Sequence, residues 1–214
     1  MVKYYLVIPV AIGIFAGIFV AAYFANPQNT QGDFTMGQIL EVSSPYEGSP
    51  SAQITIIEFG DYQCTFCYKF HSSSLDVIKQ EYLNSGKANL VFVDFPLNGP
   101  DSVMAAEASH CAKDQGKFWE YHHQIYKNWK GERTGWVTRD SLNTFAGTVG
   151  LDLEQFNSCL DSSKYRQQVL DTYDFGQKIG INATPSFLVI SGEKIVKITG
   201  NQPIDVFRKT IDSM

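Results

Sequence analysis

Four residues, Cys64-Thr-Phe-Cys67, stand between a strand-like run and a helix-like run, and that placement limits the fold more than any other feature of the chain. Ile54-Thr-Ile-Ile-Glu-Phe59 is apolar and β-branched and is bounded by Gly60 and Asp61, which predicts a buried strand. From Thr65 to Leu83, Phe70, Leu75, Ile78 and Tyr82 recur at helical spacing until Asn84-Ser-Gly86 stops them. Asn89-Leu-Val-Phe-Val-Asp-Phe95 predicts a second strand, closed by Pro96. A strand, helix, strand unit of this kind places its strands parallel.

Two thiols three positions apart at a helix start share one helical face, close enough to form a disulfide without much backbone movement. The first sulfur lies where unpaired N–H groups and the helix dipole favour a thiolate. A depressed pKa at Cys64 makes it the better leaving group and stabilises the reduced pair, which raises the pair's oxidising power. Two plainer readings compete. Half of a zinc site would need two more ligands, and only Cys111 and Cys159, far apart in sequence, or scattered histidines offer them. A purely structural bridge this short would constrain little unfolded-chain entropy. Redox chemistry therefore leads.

The amino-terminal segment differs in kind. Between Tyr4 and Ala25 there is no charged residue, and Leu, Ile, Val and Phe dominate. As a helix it would extend roughly 33 Å, enough to cross a hydrocarbon core of about 30 Å. Pro9, Gly13 and Gly17 are tolerated in membrane helices, and Lys3 weakly favours a cytoplasmic amino terminus. The expectation is a single-pass cell-membrane anchor over residues 1–25 with everything after Asn26 extracytoplasmic. The alternative is a signal peptide cleaved near Ala22 and Ala25, with secretion of the rest. A buried core helix is the third and least favoured reading, because the run has no polar face to show solvent. The net charge of −5, with no Lys/Arg cluster, removes nucleic acid from the partner classes.

Residues 26–47 have the Pro, Gly, Ser, Asn and Gln content of a linker, with at most a short strand around Ile39 to Val42. The domain follows over 48–214. From Asp101 to about Gly180 the period turns helical, with helices near 101–115, 117–129, 139–148, 152–161 and 164–179. Ser186-Phe-Leu-Val-Ile190 and Lys194-Ile-Val-Lys-Ile198 predict strands joined at Ser191-Gly192, and Pro203 opens a last helix.

Several blocks in this order resemble the DsbA-like thiol–disulfide oxidoreductases of the thioredoxin superfamily, in their membrane-anchored or secreted branch. They are Gly48-Ser-Pro-Ser-Ala-Gln-Ile-Thr-Ile-Ile-Glu-Phe-Gly-Asp-Tyr-Gln-Cys-Thr-Phe-Cys67, Phe95-Pro-Leu97, Cys111-Ala-Lys-Asp-Gln-Gly-Lys-Phe-Trp-Glu-Tyr-His122, Phe156-Asn-Ser-Cys-Leu160 and Gly180-Ile-Asn-Ala-Thr-Pro-Ser-Phe187. The resemblance implies an α/β thioredoxin fold, split between its βαβ and ββα halves by a helical insertion at about 98–180. It implies Cys64 and Cys67 as the catalytic pair, and Thr184 and Pro185 as a cis-proline loop that binds a substrate strand. It also implies Glu58 as a buried acid that exchanges a proton with Cys67, and a structural disulfide between Cys111 and Cys159. On the chain-entropy account, closing a loop of about 48 residues stabilises by roughly 4 kcal/mol. Thr65 stands where many relatives carry proline, and the two intervening residues tune the thiolate.

The expected activity is disulfide formation in exported polypeptides that carry free thiols, with a membrane redox partner to reoxidise the pair. The pair itself is the redox centre, and no cofactor or metal is implied. The same fold run as a reductase or isomerase, or as a non-catalytic peptide-binding chaperone, is the alternative. His71, His110, His122 and His123 lack ligand-type spacing, and adjacent His122 and His123 face different helix sides, so they read as structural or solvated. Phe118, Trp119, Tyr121, Tyr126 and Trp129 read as core and groove lining. The Asn182-Ala-Thr184 sequon overlaps the proline loop and is expected to carry no glycan.

Overall fold

Ile54–Gly60 is a strand (β2) at the centre of a five-stranded sheet, where nearly every side chain is buried because elements cover both faces. The structure, a computed structural model, describes residues 36–41 and 43–214. The apolar stretch 4–25, read as an anchor or export signal, lies outside the described residues. Among the described residues no helix is long and apolar enough to cross a membrane.

Residues 36–47 differ from the linker expected there. Met36–Glu41 is a short helix (α1), where the sequence suggested at most a strand near Ile39 to Val42. Its Gln38, Leu40 and Glu41 are good helix formers, and a single Ile does not outweigh them. The edge strand instead falls at Glu47–Gly48 (β1). Just before it, Ser44 Oγ accepts from Phe92 N at 2.9 Å and Ser44 N donates to Phe92 O at 2.8 Å, so attachment to the sheet begins ahead of residue 48.

After β2 comes one helical stretch, α2 (65–83). It starts as Thr65–Lys69, widens into a π-turn at Phe70–Ser74, resumes at Leu75–Ile78 and ends in a second π-turn at Lys79–Leu83. The first wide turn holds two consecutive residues that both point inward, Phe70 against Phe187 and Phe207, and His71. Ala88–Asp94 (β3) returns parallel to β2, in register from Ile54 beside Ala88 to Gly60 beside Asp94.

Five helices follow: Pro100–Lys113 (α3), Phe118–Lys127 (α4), Arg139–Thr148 (α5), Leu153–Asp161 (α6) and Arg166–Lys178 (α7). Each lies within two residues of its expected span. Cys111 on α3 and Cys159 on α6 are joined by a disulfide, S–S 2.03 Å. Ser186–Ser191 (β4) then pairs antiparallel with β2, Lys194–Thr199 (β5) pairs with β4, and Ile204–Asp212 (α8) ends the chain. The strand order is β1-β3-β2-β4-β5, the α/β thioredoxin arrangement expected.

The core has two parts. Ile54, Ile56, Phe70, Ile78, Phe187, Phe207 and Ile211 pack α2 and α8 to the sheet. Tyr62, Cys67, Phe92, Phe118, Tyr121, Ile125 and Phe156 fill the space beneath the inserted helices. Phe118, Tyr121 and Tyr126 are buried, while Trp119 and Trp129 pack partly exposed against this second cluster.

Candidate active site

Cys64 terminates the loop that leaves β2 and is itself the N-cap of α2, with φ −64° and ψ 125°. Its sulfur accepts from the Cys67 backbone N–H at 3.3 Å, the bond that a Ser or Asp makes at other helix starts. The pair is reduced in this structure. The hydrogen bond from the Cys67 thiol holds the Cys64 thiol below its ordinary range against the opposing push of burial, helped by the Cys67 and Phe66 N–H groups. Cys67 moves the other way. Full burial pushes its thiol well up, reinforced by the hydrogen bond to Cys64, the charge there and the nearby Glu58 carboxylate.

The loop opposite carries Thr184-Pro185, whose peptide bond is cis, and the Cys64 thiol lies 3.4 Å from the Thr184 carbonyl oxygen. Cys64, Cys67, Thr184 and Pro185 thus converge from α2 and the segment ahead of β4. Beside them Phe66 is 54% exposed, although a phenyl ring normally hides, and Lys69 Nζ sits 5.1 Å over it.

Glu58 sits on β2, fully buried. Its two carboxylate oxygens lie 3.2 and 3.1 Å from His71 Nε2, so the acid is held by a histidine of α2. Gly60, two residues on, permits this arrangement, because a Cβ there would fall 2.3 Å from the Phe92 ring. Cys111 and Cys159 are bonded to each other and tie two inserted helices together.

The geometry also reveals residues that sequence reasoning passed over. Buried Asp61 accepts from Gln63 N at 2.7 Å, Leu97 N at 2.6 Å, Asn98 N at 2.7 Å, Asn98 Nδ2 at 3.1 Å and Ser102 Oγ at 2.7 Å. Gln63, also buried, donates to Ser102 Oγ at 2.9 Å and accepts from Arg133 N at 3.0 Å. These bonds lock the cysteine loop to the inserted helices. Glu132, from the loop before α5, accepts from Thr65 N at 2.7 Å. It fills one vacant donor at the helix start and sets a negative charge where the dipole would otherwise serve the thiolate alone. Asp61 and Gln63 were within reach of the sequence, as polar residues in a βα turn; Glu132 lies in an aperiodic loop that no pattern assigns.

Comparison with known proteins gives concordant matches. Residues 41–213 match a family model described as thioredoxin. Disulfide bond formation protein D of Bacillus subtilis (strain 168) is 31% identical over 176 residues, covering 80% of this chain and 78% of that protein. The probable disulfide bond formation protein D of Bacillus cereus is 31% identical over 169 residues, covering 77% of this chain and 76% of that protein. The crystal structure of oxidised BdbD from Bacillus subtilis superposes with a TM-score of 0.71 at 28% identity, covering 79% of this chain and 91% of that one. Wolbachia pipientis alpha-DsbA1 follows at 0.69 and 25% identity, covering 78% and 88%.

Proposed function

The chain belongs to the DsbA-like thiol–disulfide oxidoreductases of the thioredoxin superfamily, and from that premise we propose which of its residues carry out disulfide formation and where. The activity is thiol–disulfide exchange. A substrate thiolate attacks Cys64 of the oxidised pair, the Cys64–Cys67 bond breaks, and Cys67 leaves with the electron pair and takes a proton. A second substrate thiolate then attacks the substrate sulfur of the mixed disulfide, and Cys64 departs as the favoured leaving group. Two substrate thiols become one disulfide, and the pair ends reduced. Glu58 exchanges the Cys67 proton, with His71 holding its carboxylate in place. The Thr184 backbone pairs with an extended substrate segment at the Pro185 loop. The redox-active dithiol is the only electron carrier this scheme uses.

The observation that supports this reading is the asymmetry of the two sulfurs. One is a thiolate-favouring cap at a helix start and the other is a buried thiol one turn along. Substrates are exported polypeptides with free thiols. Residues 4–25 anchor the chain in the cell membrane, the domain lies outside, and a membrane redox partner reoxidises the pair. The test is Cys67→Ala, which removes the resolving thiol. It accumulates mixed disulfides through Cys64 with a reduced polypeptide under oxidising conditions, seen as adducts on non-reducing gels. Absence of any adduct defeats the assignment.

A further inference from the structure

The histidines read from sequence as structural or solvated do not stand apart. His71 of α2 and His122 and His123 of α4 each offer a ring nitrogen, and those three atoms lie within 4.8 Å of one another. Two of the rings are held from behind. His71 Nε2 faces both oxygens of Glu58, and His122 Nδ1 lies 2.9 Å from Tyr62 Oη. Their remaining nitrogens, His71 Nδ1 and His122 Nε2, are buried and have no hydrogen-bond partner. The His71 side chain is 3% exposed and His122 is fully buried. Each buried ring nitrogen left unmatched costs about 1–3 kcal/mol, so two on one cluster call for a partner. A pocket of about 380 Å³ lined by Tyr68, His71, Lys79, His123 and Tyr126 reaches the cluster from solvent.

We propose that His71, His122 and His123 form a binding site for a divalent transition-metal ion of the zinc type, with Glu58 and Tyr62 orienting the two buried rings. An all-imidazole donor set suits zinc, copper or nickel and not the oxygen-seeking calcium or magnesium. Three protein nitrogens leave a fourth position for water, which the pocket supplies. A carboxylate behind a ligating histidine is the usual support for such a ring. Metal binding requires one tautomer of each buried ring: the His71 proton on Nε2, donated to Glu58, and the His122 proton on Nδ1, donated to Tyr62 Oη. Each orphan nitrogen then carries a lone pair.

Ligands of a tetrahedral ion stand about 3.4 Å apart, so the rings must close in by roughly 1 Å. His123 is the ring free to do it. Its side chain is 35% exposed, and its Nε2 lies 2.9 Å from Glu47 Oε1 and from Lys79 Nζ. Lys79 opposes a cation at this point, but it is already paired to Glu47 at 2.6 Å and can withdraw with it.

The test titrates the full chain with zinc chloride by calorimetry while the Cys64–Cys67 pair is oxidised, so that thiolates cannot take the metal. The expected result is one ion bound per chain, no binding of calcium or magnesium, and affinity lowered at least roughly tenfold in His123→Gln. Nitrogen NMR of the wild-type rings keeps the test independent of any variant's folding: the resonances of His71 Nδ1 and His122 Nε2 move on zinc addition. Failure to bind zinc below millimolar concentration, binding that leaves those resonances in place, or unaltered affinity in a folded His123→Gln overturns the proposal. None of these outcomes bears on the trapping of mixed disulfides at Cys64.

Discussion

At the scale of single residues, the chemistry depends on two identical side chains made unequal by their surroundings. The position of Cys64 at a helix start was legible from the order of strand, cysteine and helix, because dipole and vacant N–H groups are properties of any helix end. The burial of Cys67 and the hold of His71 on Glu58 were not, since both arise from contacts between elements distant in the chain. The two thiols bend stability with pH in opposite senses. Between the lowered pKa of Cys64 and the ordinary thiol value, the folded chain ionises while the unfolded chain does not. The reduced protein therefore gains stability as pH rises through that interval, and loses it as pH falls through the Cys64 pKa. Above the ordinary value, the unfolded chain ionises at Cys67 while the buried thiol stays protonated, and stability declines. The melting temperature of the reduced protein minus that of the oxidised protein should thus rise and then fall with pH, peaking near the ordinary thiol value. A flat difference across that range would contradict both shifts.

At the scale of elements, helices and strands followed periodicity closely, because the inserted helices carry buried apolar residues at helical spacing and the central strands are buried along nearly their whole length. Departures came where packing, not pattern, decides. The π-turns of α2 accommodate Phe70 and His71 together on the inside, which no regular 3.6-residue repeat announces. Leu40 and its neighbours form a helical turn at a site where turn residues obscured it. The join between the sheet and the insertion rests on Asp61, whose carboxylate satisfies three backbone N–H groups and two side chains. Asp61→Ala leaves those donors buried and unmatched, and should lower stability by about 3 kcal/mol or more. The midpoint of chemical denaturation measures this, and a loss below about 1 kcal/mol would mean that water replaces the carboxylate without difficulty.

At the scale of the whole molecule, the βαβ and ββα halves meet along β2 and β4, five residues in register, although the whole helical insertion lies between them in sequence, from the end of β3 at Asp94 to the start of β4 at Ser186. The resemblance to a known family supplied that long-range pairing; local periodicity carries no information about it. The insertion has its own tether in the Cys111–Cys159 bond, which closes a separation of 48 residues. Replacing both cysteines by alanine should lower stability by up to about 4 kcal/mol. It should leave the Cys64 thiol titration, followed by ultraviolet absorbance, where it was. A change in that titration would show that the tether also shapes the reactive loop. Phe66 remains, an oily ring half in water two residues past Cys64. Nascent chains still wear their greasy segments on the outside, whereas finished ones have put them away, so a bare ring at this spot would grip the former and not the latter. Phe66→Ser should then slow oxidation of an unfolded polypeptide severalfold while sparing a small dithiol, and equal slowing of both would refute it. On this view a single misplaced aromatic acts as a clock, committing cross-links before a client's shape is settled.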